Sequence, residues 1–195
     1  MEDKLTFEER SMLLKLARRA IEAAIQGQPF PELDAGNLPA RLLEPGVSFV
    51  TLTRSGELRG CIGALEPRVS LAEDVQEHAV AAAFQDYRFH PVQAEELPSI
   101  EIEISRLTPQ SKLEYDHPDE LLKLLRPGID GVVIHYGMYR ATFLPQVWEK
   151  LPAPEMFLNH LCQKMGAPGN LWRKEKLEVY TYQVEEFREQ AHQPG

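Results

Sequence analysis

The 195-residue sequence contains few cysteines and few positive charges, and each shortage excludes a class of protein. Its only cysteines are Cys61 and Cys162, too few for the disulfide framework of a small secreted domain. Lys and Arg number 21 against 30 Asp and Glu, and the net charge of −9 disfavours broad binding of a nucleic acid backbone. The sequence also lacks a long apolar run and a signal peptide. We therefore expect a cytoplasmic protein with reduced thiols and no membrane association.

Several common catalytic signatures are also missing from the sequence. It contains neither of the two usual glycine-rich phosphate loops, which disfavours a nucleotide-driven enzyme. It has no nucleophile elbow of the Ser-His-Asp hydrolases. Its six histidines do not occur at metal-ligand spacing with one another or with a cysteine. The sequence therefore predicts no metal and no cofactor.

Hydrophobic periodicity and turn residues predict an alternation of helices and hairpins. Capping boxes begin helices after Thr6 and at Ser70, and proline begins two more. The predicted helices cover 7–26, 70–86, 118–125 and 154–165, and the predicted strands cover 47–54, 57–65, 100–105, 132–136, 139–143 and 177–187. Because hairpins dominate, we expect an α/β (α+β) fold with mainly antiparallel or mixed sheets flanked by helices. Residues 188–195 are predicted to be a frayed tail.

The segment Leu58–Gly63, with the sequence LRGCIG, is the strongest candidate for a functional site. If it is a strand, Arg59 and Cys61 share one face, and a guanidinium beside a thiol favours the thiolate and lowers its pKa. Gly60 and Gly63 would permit a bulge, or a groove whose walls lack side chains. In the alternative interpretation Cys61 is a small buried hydrophobic residue and the glycines serve packing, which residue types alone favour. Cys162 lies on the apolar stripe of a helix and is predicted to be a core residue.

Two groups of carboxylates could complete such a site. Asp86 and Arg88 close a helix and could turn into a cleft, where Asp86 could orient Arg59; alternatively they form a solvated ion pair. Glu101, Glu103 and Ser105 share one strand face. If that strand lies near Arg59 and Cys61, it would supply a general base and an anchor; alternatively the carboxylates face water.

Taken together, these motifs resemble the AMMECR family, whose bacterial and archaeal members are called AmmeMemoRadiSam system protein A. The hexapeptide Leu58–Gly63 is the specific match, and the similarity covers roughly residues 46–187. The supporting matches follow in the family's order: Phe49–Leu52, Ala82–Phe84 with Asp86 and Arg88–Phe89, Glu95–Pro98, Glu101–Ser105, Leu144–Val147, Phe157–Leu158 and Leu161–Gly166. The family often has proline where His90 stands.

The resemblance implies one domain over residues 1–195, built of two lobes, with the hexapeptide near an interlobe cleft. It also implies a Memo-type protein and a radical SAM protein as partners, and it favours a functional Cys61, but it implies no established reaction. We expect an enzyme or enzyme component with possible thiol-dependent catalysis, or alternatively a non-catalytic adaptor that binds a small anionic ligand or a protein. The expected catalytic residues are Cys61, Arg59, Glu103 and Asp86, and the expected ligand-binding residues are Gly60, Gly63, Arg88, Ser105 and Gln146.

Overall fold

A computed structural model describes residues 4–189 of the protein. The helices and strands, in chain order, are α1 (Phe7–Ile25), α2 (Ala40–Leu43), β1 (Val47–Arg54), β2 (Glu57–Gly63), α3 (Leu71–Phe84), a 3-10 helix (Ala94–Ser99), β3 (Ile100–Leu107), β4 (Ser111–Lys112), α4 (Pro118–Leu124), β5 (Gly131–Tyr136), β6 (Tyr139–Phe143), a second 3-10 helix (Pro145–Glu149), α5 (Pro154–Lys164), α6 (Leu171–Lys174), β7 (Glu178–Tyr182) and β8 (Val184–Arg188). These elements confirm the predicted α+β fold class. They form two compact units, one ending at Leu107 and resuming at Glu185, the other spanning Thr108–Val184.

The first unit packs α1 and α3 with a four-stranded sheet of order β2-β1-β3-β8. Both predicted capping boxes are present: the side chains of Thr6 and Ser70 accept hydrogen bonds from the backbone of Glu9 and Glu73, whose carboxylates bond back. The inner sheet face and both helices share a buried apolar core, which includes Leu13, Ala17, Ile21, Val50, Leu52, Val75, Ala79, Ile102 and Ile104. Burial of this surface is the main stabilising term for the unit.

Strand register decides which residues of this sheet face away from that core. Strand β1 pairs antiparallel with β2 on one side and with β3 on the other. Thr51 lies opposite both Cys61 and Glu103, whereas Val50 lies opposite both Ile62 and Ile104. Because directly opposed residues point to the same face, Cys61, Thr51 and Glu103 form one row on the face opposite the core.

The second unit is built on a sheet of order β4-β7-β5-β6. Its core is aromatic: the rings of Trp148 and Phe157 stack with centroids 3.7 Å apart, and the Trp148 indole N–H donates to the carbonyl of Asp130. Strand β5 is buried along Val132–Ile134 and packs in this core with α5. Cys162 is fully buried there, as predicted, and burial raises the pKa of its thiol.

Near the end of the chain the structure differs from the sequence prediction in two ways. The last strand is interrupted at Gln183, so that β7 joins the second sheet and β8 the first. The residues on both sides of Gln183 favour strands, so the sequence gives no sign of this change of sheet. The predicted frayed tail cannot begin at residue 188, because Arg188 ends β8, and Glu189 donates its N–H to the Ile102 carbonyl and pairs with Arg18. Residues 190–195 of that prediction lie outside the described residues. No helix between residues 4 and 189 has the length and apolar character to cross a membrane.

Candidate functional site

Cys61 lies on β2, the strand at one edge of the first sheet. The residue is partly buried, and its Sγ lies 3.3 Å from the hydroxyl oxygen of Thr51 on the neighbouring strand. The thiol therefore has a polar neighbour. Cys162, by contrast, is fully buried in the core of the second unit.

The backbone of Cys61 is held from the open side of β2 by Asp86 and Arg88. The Cys61 N–H donates to Asp86 Oδ2 at 2.9 Å, and Arg88 Nη2 donates to the Cys61 carbonyl at 3.4 Å. Arg88 in turn donates to both Asp86 oxygens, from Nε at 2.9 Å and from Nη2 at 2.6 Å. These two side chains thus satisfy the backbone groups that a further strand would otherwise bond. We call this arrangement the backbone clamp of Cys61.

The clamp also explains the short distance between Cys61 and Thr51. Because the N–H and carbonyl of Cys61 point away from β1, these two residues form a non-hydrogen-bonded antiparallel pair. Pairs of this kind bring their side chains closer together than hydrogen-bonded pairs do. The main-chain contacts at the sheet edge therefore bring the thiol towards the hydroxyl.

Asp86 is a buried anion that serves the clamp. The Arg88 guanidinium, with help from the N–H of Cys61, holds the pKa of the Asp86 carboxyl far below its ordinary value, although burial opposes this. The same carboxylate raises the pKa of Arg88. A carboxylate so strongly stabilised as an anion is a poor proton acceptor at neutral pH. Asp86 is thus suited to positioning Cys61, and not to removing a proton from a ligand.

Arg59 has a different carboxylate partner from the one suggested by the sequence. Glu96, on the first 3-10 helix, accepts hydrogen bonds from Arg59 Nε and Nη2 at 3.0 Å each. These bonds, together with one from the Gln93 N–H, lower the pKa of Glu96 to about 2. Arg54 also pairs with Glu96, at 3.1 Å. The suggestion that Asp86 orients Arg59 is therefore wrong, because Asp86 binds Arg88 instead.

A β-bulge accounts for this placement of Arg59. The pairing of β1 with β2 shifts between Leu52 and Thr53, which lie opposite Gly60 and Leu58, so that Arg59 has no opposed residue. Simple alternation, which places Arg59 beside Cys61 on one face, does not hold across a bulge. Arg88 supplies a guanidinium that contacts Cys61, at its backbone carbonyl.

The two glycines of the hexapeptide are required for close packing. A Cβ at Gly60 would lie 2.1 Å from the carbonyl oxygen of Ala82 on α3, and a Cβ at Gly63 would lie 2.3 Å from the ring of Phe49. Gly60 thus lets the strand approach the helix backbone, and Gly63 lies beneath an aromatic ring. These contacts support the packing interpretation of both glycines over the expectation that they line a ligand groove.

Strand β3 contributes Glu103 and Ser105, but β1 lies between it and Cys61. Glu103 pairs with Arg188 of β8 at 3.4 Å, and Ser105 is buried opposite Phe49. Glu103 and Cys61 lie on either side of Thr51, about 10 Å apart along the strand order at the usual strand spacing. The expected general base therefore shares a sheet face with the thiol without being adjacent to it.

The remaining predicted residues lie elsewhere, and two residues were missed. Gln146 is an exposed residue of the second unit, and His90 is exposed two residues after Arg88. Thr51 and Glu96 belong to motifs that supported the family resemblance, but neither was among the expected site residues. Strand order would have identified Thr51, and only the fold pairs Glu96 with Arg59. Across residues 4–189, no group of three or more His, Cys, Asp or Glu is arranged to hold a metal ion.

Comparisons with known proteins identify similar chains of known sequence or structure. The model of the AMMECR1 family matches residues 14–187. Protein MJ0810 of Methanocaldococcus jannaschii is 38% identical over 192 residues, which cover 95% of this chain and 92% of that protein. A protein of Methanothermobacter thermautotrophicus is 38% identical over 190 residues, covering 95% and 96% of the two chains. The crystal structure of uncharacterized protein PH0010 from Pyrococcus horikoshii superposes with a TM-score of 0.76 at 35% identity, covering 95% of this chain and 94% of that one.

Proposed function

The chain belongs to the AMMECR1 family, and we propose that it is an enzyme or enzyme component in which Cys61 reacts with or contacts the substrate. The observation that carries this proposal is the backbone clamp. Both main-chain polar groups of Cys61 are held by the ion pair of Asp86 and Arg88, while the residue as a whole is only partly buried. Fixing both polar groups of the backbone holds a reactive atom in a defined position, which a purely structural cysteine does not need.

The surrounding groups fit distinct roles in this proposal. Asp86 and Arg88 position Cys61, and the remaining exposed part of the Arg88 guanidinium faces solvent, where it can attract an anionic substrate group. The Thr51 hydroxyl lies 3.3 Å from the Cys61 sulfur and can donate a hydrogen bond to the thiolate form of Cys61. Both arginines are paired with a carboxylate, but the Arg88 side chain is 44% exposed and that of Arg59 only 16%, so we assign the anion-binding role first to Arg88.

We further propose that the protein acts in the cytoplasm together with a Memo-type protein and a radical SAM protein. This part of the proposal is supported only by the family resemblance. Co-expression with the two partners, followed by affinity purification, tests it directly. Recovery of the partners with the wild-type chain, and not with an unrelated acidic protein, is the expected result; equal recovery on both would contradict it.

Thiol labelling tests the role of Cys61. We expect iodoacetamide to alkylate Cys61 at pH 7 faster than it alkylates glutathione, and far faster than the buried Cys162, as measured by mass spectrometry of peptides. Arg88→Gln removes the positive charge of the clamp and leaves the Asp86 carboxylate beside Cys61, so it should slow the reaction of Cys61. Arg126→Gln is a matched control, since Arg126 pairs with the buried Asp130 at 2.6 Å in the other unit. A Cys61 that reacts no faster than glutathione would eliminate the activated thiol.

One observation favours the alternative, a non-catalytic adaptor that binds a small anionic ligand or a protein. The side chain at hydrogen-bonding distance from the Cys61 sulfur belongs to Thr51, a neutral hydroxyl and no general base. A Cys61→Ser variant that keeps full function when reconstituted with the partner proteins would favour the adaptor. Loss of function in Cys61→Ser, with partner binding intact, would favour the enzyme.

A further inference from the structure

The first unit contains a second feature with the character of a binding site, separate from Cys61. It is an open cavity of about 1020 Å³ between α1, the first 3-10 helix and the end of β8. This volume is at the upper end of the range for small-molecule sites, roughly 300–1000 Å³. The cavity follows α1 from Phe7 to Glu22, about 22 Å at the helical rise. It is therefore long enough for an extended ligand.

The cavity is lined by an apolar strip. Leu14 of α1 faces Leu97 of the 3-10 helix and Ile100 at the start of β3, and Phe187 of β8 completes the strip. Ile100 and Phe187 are buried members of the core, and Leu14 and Leu97 pack against it. These four side chains offer an unbranched hydrocarbon chain a surface fixed by the core beneath it.

Four cationic side chains line the same cavity together with three carboxylates, those of Glu22, Glu101 and Glu189. Arg18 has every nitrogen occupied: it donates to the carbonyls of Leu97 and Ile100 and to the carboxylate of Glu189. Arg18 therefore builds the wall and is not available to a ligand. Arg188 is paired with Glu103.

Arg10 and Lys15 differ from these two arginines. Arg10 pairs with Glu185 through Nη2 at 2.6 Å, but its Nε is buried and has no hydrogen-bond partner within residues 4–189. A buried donor left without a partner is unfavourable and marks a position where a partner would stabilise the protein. Lys15, about 1.4 turns further along α1, is exposed at the cavity. Both cations therefore line the cavity that contains the apolar strip.

From this juxtaposition we propose that the cavity binds a single-chain amphiphile with a carboxylate head group. The carboxylate is placed at Arg10 and Lys15, and the hydrocarbon chain lies along Leu14, Leu97 and Phe187. A carboxylate matches the donors in charge and supplies acceptors for the unpartnered Nε. This site goes beyond the proposed function, since none of its lining residues belongs to the Cys61 site.

Dodecanoate, titrated into the full chain by calorimetry below its critical micelle concentration, tests the proposal. We expect saturable binding of one ligand per chain, and no binding of dodecyltrimethylammonium, which has the same chain and the opposite charge. Lys15→Glu should weaken dodecanoate binding about tenfold, because it replaces an attraction with a repulsion. Lys123→Glu, the same change on an exposed lysine of the second unit, should leave binding unaltered.

A second variant tests the location independently of charge. Ala94 is exposed and lines the cavity, so Ala94→Trp should fill the apolar part and abolish binding without affecting the core. Thermal unfolding of each variant verifies that the chain remains folded. The proposal is overturned if dodecanoate gives no saturable binding, if the cationic amphiphile binds equally well, or if Ala94→Trp binds like the wild type.

Discussion

Replacement of Gly60 by alanine should destabilise the protein strongly, because this glycine sets the distance between β2 and α3. An added Cβ would lie 2.1 Å from the Ala82 carbonyl oxygen and 3.0 Å from its carbon. Both are helix backbone atoms, which no side-chain rotation can move. To restore an ordinary contact, strand and helix must separate by roughly 1 Å at a position where both are packed in the core.

The magnitude follows from the cost of overpacking a rigid interior. Such insertions typically cost about 1–3 kcal/mol, and a clash with backbone belongs at the upper end of that range. Alanine in an unobstructed strand would instead be about 0.5–1 kcal/mol better than glycine. We therefore expect a net loss of about 2 kcal/mol, which lowers the Tm of a chain of this length by about 4–8 °C.

Thermal and urea unfolding, followed by circular dichroism, measure this effect. Gly36→Ala is the matched control: Gly36 is exposed, and its added Cβ would meet only the carboxylate of Asp34, at 3.3 Å. That variant should remain within about 0.5 kcal/mol of the wild type. If Gly60→Ala were as stable as the wild type, or more stable, the packing role assigned to Gly60 would be refuted.

Two further predictions concern the surroundings of Cys61. Asp86→Asn should be less stable than the wild type at pH 7. Because the folded-state pKa of Asp86 is depressed, the difference in stability should persist down to about pH 4 and shrink as the pH falls further. Urea titrations at several pH values measure this difference. A difference that grows on acidification would contradict the assigned ion pair. Thr51→Val, which keeps the side-chain shape, should slow alkylation of Cys61 about fivefold, the effect of one hydrogen bond of about 1 kcal/mol. An unchanged alkylation rate would show that the hydroxyl does not act on the sulfur.

The sequence predicted the elements well because they depend on local signals. The capping boxes at Thr6 and Ser70 begin α1 and α3 as predicted, and the turn at Gly137 joins β5 and β6. The interruption at Gln183 was missed because the residues on both sides of it favour strands equally. The short elements α2, α6 and β4 were also missed, since four, four and two residues give no usable periodicity.

The candidate site divides in the same way. Sequence alone proposed Cys61 as its centre, because Cys61 stands in a specific hexapeptide, and it selected Asp86, Arg88 and Glu103 as polar residues near it. Only the tertiary structure decided their partners. The order of strands puts Thr51 between Cys61 and Glu103, the bulge removes Arg59 from the simple alternation, and chain reversal after α3 brings Asp86 and Arg88 to the Cys61 backbone. Spacing along a chain fixes which residues share a face of one element, whereas contacts between elements depend on how their buried faces pack together.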